Sequence, residues 1–256
     1  MHTDAPLPRH LPWDACYNIR DVGGYATTDG GQIRWRALVR ADNLCRLTPA
    51  GRAALIDHGV RTIIDLRSPS ELVRAPHPFA PPHGEPGAPF YRHLSLLDET
   101  DQAGIARIDT AGSVQKMYTL MLDQYPARIA TIIQAVARAR AGGVLVHCFA
   151  GKDRTGVIVA LLLAVAGAEP ATIIADYAAS DNYLQPLYAE VLESLAHDPP
   201  RQSQLASILA SPAEAMRATL AYLDTAHGGP EAYLQAAGVS QPDLQRLRRR
   251  LREAQL

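Results

Sequence analysis

The stretch from Ala127 to Ala168 constrains the fold more than any other part of the chain. Between Ala127 and Arg140, Ile129, Ile132, Ile133 and Val136 recur at helical spacing on one face, and Gly142-Gly143 stops the helix. Val144 to Val146 then reads as a short buried strand, HCFAGKDRTG (His147 to Gly156) as a loop, and Val157 to Ala166 as an apolar helix ended by Gly167. A buried strand entering a buried helix through a polar loop is a unit of α/β folds with a largely parallel sheet. The same alternation occurs upstream. Thr48-Pro49 opens a helix that Gly59 closes, Val60 to Leu66 reads as a buried strand, Ser68-Pro69-Ser70-Glu71 has capping-box spacing, and Phe90 to Leu96 alternates like a strand. Residues 1–256 are therefore expected to form one α/β domain, a central and mostly parallel sheet flanked by helices.

Composition removes several function classes. With 25 basic and 26 acidic residues the net charge is −1, so no global field recruits nucleic acid or an anionic membrane. The longest apolar run, Val157 to Ala168, is shorter than the roughly 18 residues a bilayer span needs, which predicts a core helix and no integral membrane association. The first fifteen residues show no signal-peptide pattern. Three scattered cysteines form neither a disulfide framework nor a zinc pattern, which points to a reducing, cytoplasmic setting, or to export without a recognisable signal. Beyond Pro170 the pattern is mainly helical. Ser211-Pro212-Ala213-Glu214 repeats the capping-box spacing, and Leu244, Leu247 and Leu251 form a stripe among arginines, read as a packed terminal helix with a solvated face.

The loop carries the chemistry. Backbone N–H groups of Phe149, Ala150, Gly151, Lys152, Asp153, Arg154 and Thr155, between a strand and a helix N-terminus, can curl around a phosphate. The nucleotide-binding GxxxxGK[ST] pattern fails here, because Val146 stands where its first Gly belongs and Asp153 where Ser or Thr would hold magnesium. A zinc site fails for want of ligands around His147 and Cys148. A cysteine nucleophile remains. The helix dipole, the converging amides, Arg154 and the Thr155 hydroxyl all favour the Cys148 thiolate, while Arg154, planar and bidentate, matches two phosphoryl oxygens. Attack gives a cysteinyl-phosphate that water hydrolyses, with no metal or cofactor required.

At this loop the chain resembles the cysteine-dependent protein tyrosine phosphatases, and most closely the atypical bacterial ones whose loop reads HCxAGKDRTG. Asn18 to Gly24 (NIRDVGG), Arg40-Ala41-Asp42, Asp65 to Ser68 (DLRS), Asp176-Tyr177 and Gly229 to Leu234 (GPEAYL) are similar to further elements of that family. The resemblance implies action on phosphotyrosine in proteins, with phosphoserine/threonine and phosphoinositides as further substrates. It also implies extra helices after the catalytic helix that act as a lid, for which residues 176–212, with Tyr177, Tyr183 and Tyr188, are the expected segment. Alternatives are a non-catalytic phosphate-binding module, disfavoured by the intact Cys148, Arg154 and Thr155, and a rhodanese-type sulfur transferase, whose cysteine loop is generally shorter.

A phenolate leaving group needs a proton donor, and two aspartates compete. Asp153 lies inside the loop, where a phosphate dianion favours a protonated carboxyl; Asp98 follows the Phe90–Leu96 strand, with Asp101 or a water behind them. Lys152, with Lys116 one of only two lysines, is read either as a contact for highly charged substrates or as a solvent-facing charge. His147 is expected to fix the loop through hydrogen bonds. Arg20 with Asp21 and Asp65 with Arg67 are expected as internal ion pairs, and Cys16 and Cys45 as inert thiols.

Overall fold

Alternation along the strands sorts the apolar side chains onto two faces of one sheet. The computed structural model describes residues 8–81, 87–193, 197 and 209–252. Its five strands are β1 (Arg20–Asp21), β2 (Leu38–Ala41), β3 (Val60–Asp65), β4 (Phe90–His93) and β5 (Gly143–His147), in spatial order β1-β2-β5-β3-β4. Every pairing is parallel except β1 with β2. Val39, Val60, Ile63 and Leu145 face one core with Trp13, Leu44 and Leu55, while Leu38, Ile64, Val144 and Val146 face the other, larger core.

Helix α1 (Pro49–Asp57) covers the first face, capped by the Thr48 side chain and followed by Gly59 in the left-handed region. α2 (Pro69–Arg74) starts with the expected capping box between Ser68 and Glu71. α3 (Gln102–Asp109), α4 (Val114–Gln124), α5 (Pro126–Ala137) and α6 (Asp153–Val165) follow. Then come α7 (Pro170–Ala178), α8 (Ser180–Glu193), α9 (Ala213–His227), α10 (Pro230–Ala236) and α11 (Gln241–Leu251). The apolar α6 lies between the sheet and α5, α7, α10 and α11, so it is buried nearly all round. Leu244, Leu247 and Leu251 of α11 are fully buried against this core.

Four local expectations need correction. α6 begins at Asp153, four residues before its apolar run, because its first turn carries polar side chains that serve the loop. β4 ends at His93 instead of Leu96: the paired register closes at Asp65–His93, and beyond it only the Leu94 and Leu96 N–H groups still donate, to the carbonyls of Asp65 and Leu66. Ser211 forms no capping box: its N–H donates to Asp181 Oδ1 (2.9 Å), and α9 starts beyond Pro212 without a side-chain cap. The Arg20–Asp21 ion pair does not form, because neighbouring strand residues point to opposite faces. Arg20 reaches Asp176 (3.0 Å), whereas Asp21 accepts from the N–H groups of Gly23 and Arg36 and contacts His58.

Candidate active site

Ligands of open parallel sheets bind beyond the carboxyl ends of the strands, and here Cys148 leaves β5 at that end and meets the N-terminus of α6. Three loop carbonyls in succession are tied outward. Phe149 O accepts from the Asn43 N–H (2.8 Å), Ala150 O from Asn18 Nδ2 (2.9 Å), and Gly151 O from an Arg40 terminal nitrogen (2.7 Å). Because a trans peptide sets its N–H opposite its carbonyl, the amides of the same peptides turn to the inner side. Gly151, at φ +65°, allows the turn; a Cβ there would lie 2.3 Å from the Ala41 carbonyl oxygen. The Thr155 hydroxyl is buried and unpartnered among the described residues, a donor left available to the loop.

Arg154 is oriented from behind. Glu71 of α2 holds it with two bonds, 2.5 and 2.9 Å, leaving the guanidinium fixed in plane. Burial penalises the Glu71 carboxylate, yet Arg154 and Ser68 hold its pKa down to about 2, and burial of Arg154 is likewise outweighed by Glu71 and the Cys148 charge, which raise its pKa. Sequence reasoning assigned Glu71 only a helix cap. Its role toward Arg154 joins residues 83 apart and has no local signal.

A second frame joins the first two strands to the helix after α6. Asp176 of α7, fully buried, takes Arg20 Nε on one oxygen (3.0 Å) and Arg40 on the other (2.5 Å). Arg40 thus links Asp176 to the Gly151 carbonyl of the loop.

The two aspartates proposed as acids occupy different settings. Asp153, in the first turn of α6, accepts from the Tyr118 hydroxyl (2.7 Å), which pairs with Tyr177 (2.7 Å). It lines a cavity of about 740 Å³ together with Arg154, Glu71, Ser68, Glu99 and Met117. Asp98 does not line that cavity, although Leu97 and Glu99 do. Thr100 and Arg128 bind its carboxylate and hold its pKa down to about 2, so it carries no proton at working pH. Asp101 N-caps α3 and accepts from Tyr125.

Lys152 is not solvent-facing. It is 2% exposed, and its Nζ donates to the carbonyls of Leu209 (3.0 Å) and Ala210 (3.1 Å). Tyr188 of α8 is also buried; burial first, then the charges of Asp153, Asp181, Tyr177 and Cys148, push its phenol pKa up. These contacts set α8 and residues 209–211 over the loop, where Cys148 is only 2% exposed and Phe149 projects, 54% exposed. Tyr177 belongs to the core beside Tyr118, and Tyr183 stacks on His10. Residues 176–180, the start of the expected lid, are fastened to the sheet through Asp176 and Ser180. The stretch 199–204, expected within it, lies outside the described residues.

His147 donates from Nδ1 to the Cys148 carbonyl (3.1 Å). The Asp65–Arg67 pair forms, with 2.7 Å from a terminal guanidinium nitrogen to Oδ2, and the thiols of Cys16, Cys45 and Cys148 are unpaired. Burial, then the nearby Asp42, pushes the Cys16 thiol pKa up, consistent with an inert side chain. Asp65, His77 and His147 bring one ligand-type atom each within 4.8 Å of one another. They do not fit a cation. The Phe79 N–H occupies His77 Nδ1 (3.1 Å), which leaves the proton of a neutral ring on Nε2, and Arg67 already neutralises Asp65.

A thiol at a strand end, amides turned inward at a helix N-terminus and a clamped arginine define the site of a cysteine-dependent phosphatase. A model of the tyrosine phosphatase family matches residues 11–253. A tyrosine-protein phosphatase of Nostoc commune is 34% identical over 225 residues, covering 85% of this chain and 75% of the relative. The triple specificity protein phosphatase PtpB of Mycobacterium tuberculosis is 30% identical over 276 residues, covering 94% and 97%. The chain belongs to the tyrosine phosphatase family.

Proposed function

We propose that Cys148 attacks the phosphorus of a protein phosphotyrosine while Arg154 and the loop amides of residues 149–155 hold the equatorial oxygens. The observation that carries this reading is the outward tethering of three successive loop carbonyls, which builds an anion cradle directly after the thiol. The P–S bond forms as the P–O bond to the phenol breaks. Asp153 supplies the proton to the departing oxygen, and Tyr118, donating to its carboxylate, holds it in place. Water then hydrolyses the cysteinyl-phosphate, releasing phosphate and restoring the thiolate.

The described residues 181–193 and 209–212 cover the site within the single phosphatase domain; the contacts of Lys152 with Leu209 and Ala210 support this. The mycobacterial relative is named a triple specificity protein phosphatase, which supports a substrate range wider than phosphotyrosine; phosphoserine and phosphothreonine are the further substrates that the family resemblance implies. Phosphoinositides are the second reading, resting on Lys152 in the loop; its ammonium must leave the 209–210 carbonyls to meet a second phosphate. The reading places the enzyme in the cytoplasm, supported by its free thiols; among the described residues no helix is long and apolar enough to cross a membrane.

A panel of phosphotyrosine, phosphoserine and phosphothreonine peptides and phosphoinositides, assayed with wild type and Cys148→Ser, tests the proposal. Phosphate release from a phosphotyrosine peptide that vanishes in Cys148→Ser supports it. Turnover that persists in the variant overturns it.

A further inference from the structure

At the amino ends of β2 and β5, four arginines from two distant parts of the chain line one cavity of about 330 Å³: Arg34 and Arg36 before β2, and Arg249 and Arg250 of α11. No carboxylate lines it, and its other walls, Ala141 and Gly142 among them, are too small to fill it. The catalytic loop leaves the opposite end of β5, a strand of 5 residues that spans roughly 15 Å. The cavity is therefore separate from the cradle after Cys148.

The other arginines at this end of the chain have partners. Arg246 pairs with Asp243 (2.8 Å), Arg248 with Glu231, and Arg252, just beyond α11, with Asp29. Arg249 and Arg250, the two that line the cavity, meet no carboxylate among the described residues, and neither do Arg34 and Arg36. Asp21, which lies against the Arg36 backbone, is already engaged by the N–H groups of Gly23 and Arg36 and by His58. Four like charges thus surround one space with no counter-charge among the described residues.

Two details set these side chains apart from a solvated surface. Arg250 gives its terminal nitrogens to the carbonyls of Gly142 (2.9 Å), Arg140 (3.1 Å) and Ala139, which fixes the guanidinium, while its Nε is buried without a hydrogen-bond partner. Burial, then the charge of Arg34, lowers its pKa, yet a guanidinium stays protonated at physiological pH. Arg36 stands at φ +61°, in the left-handed region. Glycine adopts that backbone freely, whereas a residue with a side chain is strained there.

We propose that this cavity is a second anion site, distinct from the catalytic loop, that takes a small molecule or lipid headgroup bearing two neighbouring phosphate groups. One phosphate carries at most two negative charges, which leaves part of a four-arginine site uncompensated. Two adjacent phosphates match the four guanidiniums in charge and offer paired oxygens to their planar forks. Such an anion relieves the repulsion between Arg34 and Arg250 and brings acceptors to the residue whose Nε lacks one.

The test titrates the full chain with inorganic pyrophosphate by calorimetry, with vanadate present at the concentration that stops turnover. One equivalent is expected to bind, about tenfold or more tighter than orthophosphate at equal ionic strength. Arg249→Ala, at an exposed side chain, is expected to raise the pyrophosphate Kd about tenfold. Arg36→Gly is expected to weaken binding similarly and, in the absence of anion, to melt at a higher temperature than wild type, because strain and repulsion are both relieved. Turnover of a phosphotyrosine peptide should stay within about twofold in both variants. Phosphatidylcholine vesicles carrying phosphatidylinositol bisphosphate, compared with vesicles charge-matched by phosphatidylserine, separate the two sources of the anion. Sedimentation with the bisphosphate vesicles alone, lost in Arg249→Ala, assigns the site to a lipid headgroup; pyrophosphate binding without sedimentation assigns it to a free anion.

Pyrophosphate that binds only by displacing vanadate, or that binds wild type, Arg249→Ala and Arg36→Gly alike, overturns the proposal. So does equal affinity for orthophosphate and pyrophosphate, the sign of a diffuse basic surface, and so does the absence of binding in both assays.

Discussion

Cys148→Ser keeps the cradle and Arg154, and it removes the thiol that the proposed mechanism uses as nucleophile. Phosphate or vanadate binding, followed by calorimetry, is expected to survive while turnover of a phosphotyrosine peptide disappears. Arg154→Lys keeps the charge and loses the planar fork that Glu71 orients; kcat/KM is expected to fall by about 100-fold or more. The acid assignment is separable by leaving group. Asp153→Asn should slow a phosphotyrosine peptide strongly and an aryl phosphate with an acidic phenol far less, whereas Asp98→Asn, which only breaks a contact with Arg128 and Thr100, should change neither much. If Asp98→Asn shows the leaving-group dependence, the two roles are exchanged. The candidate loop that brings Cys148, Asp153 and Arg154 together was legible because it is contiguous between a buried strand and a buried helix. Glu71 and Tyr118 were not, because their contacts with Arg154 and Asp153 join residues 83 and 35 apart in sequence, and a lone Glu or Tyr has many ordinary uses.

Among the elements, the clasp of α7 on β1 and β2 has the clearest energetic signature. Burial alone would raise the pKa of Asp176; Arg20 and Arg40 reverse this and bring it to about 2. A depressed carboxyl pKa stabilises the fold above its unfolded value, near 4, and this contribution, about 2 kcal/mol, is lost as pH falls toward 2. Urea midpoints measured at pH 5 and pH 2.5 should therefore differ less in Asp176→Asn than in wild type. At pH 7 the same variant, which leaves two buried guanidiniums without a counter-charge, should lose about 3–5 kcal/mol. Helix and strand identities were read well where periodicity was strong, as in α5, β5 and the body of α6. Boundaries failed where something other than hydrophobicity sets them: the polar first turn of α6, the close of the β3–β4 register at Asp65–His93, and the Asp181 carboxylate that takes the Ser211 amide. Arg20 was paired with its sequence neighbour, since nothing local announces a carboxylate 156 residues on.

For the whole molecule, the parallel sheet with its catalytic loop at the carboxyl end followed from the alternation of elements, and the antiparallel β1, only two residues long, was too short to leave a pattern. Lys152 joins the loop to residues 209 and 210, so Lys152→Ala should loosen the cover and speed peroxide oxidation of Cys148, measured by mass spectrometry at early times. An unchanged oxidation rate in a folded variant would mean that the cover is held by other contacts. The Asp176 clasp also bears on how the chain is born. Arg20 and Arg40 are synthesised 156 and 136 residues ahead of the carboxylate that neutralises them. On the ribosome, β1 and β2 cannot be buried cheaply until α7 has emerged, because two desolvated cations would stand alone there. The Arg40 anchor of the Gly151 carbonyl is then in place only late in translation. A nascent chain that already displays Cys148 consequently lacks the anchored Gly151 turn of its loop, and the complete cradle arrives only with the last third of the polypeptide.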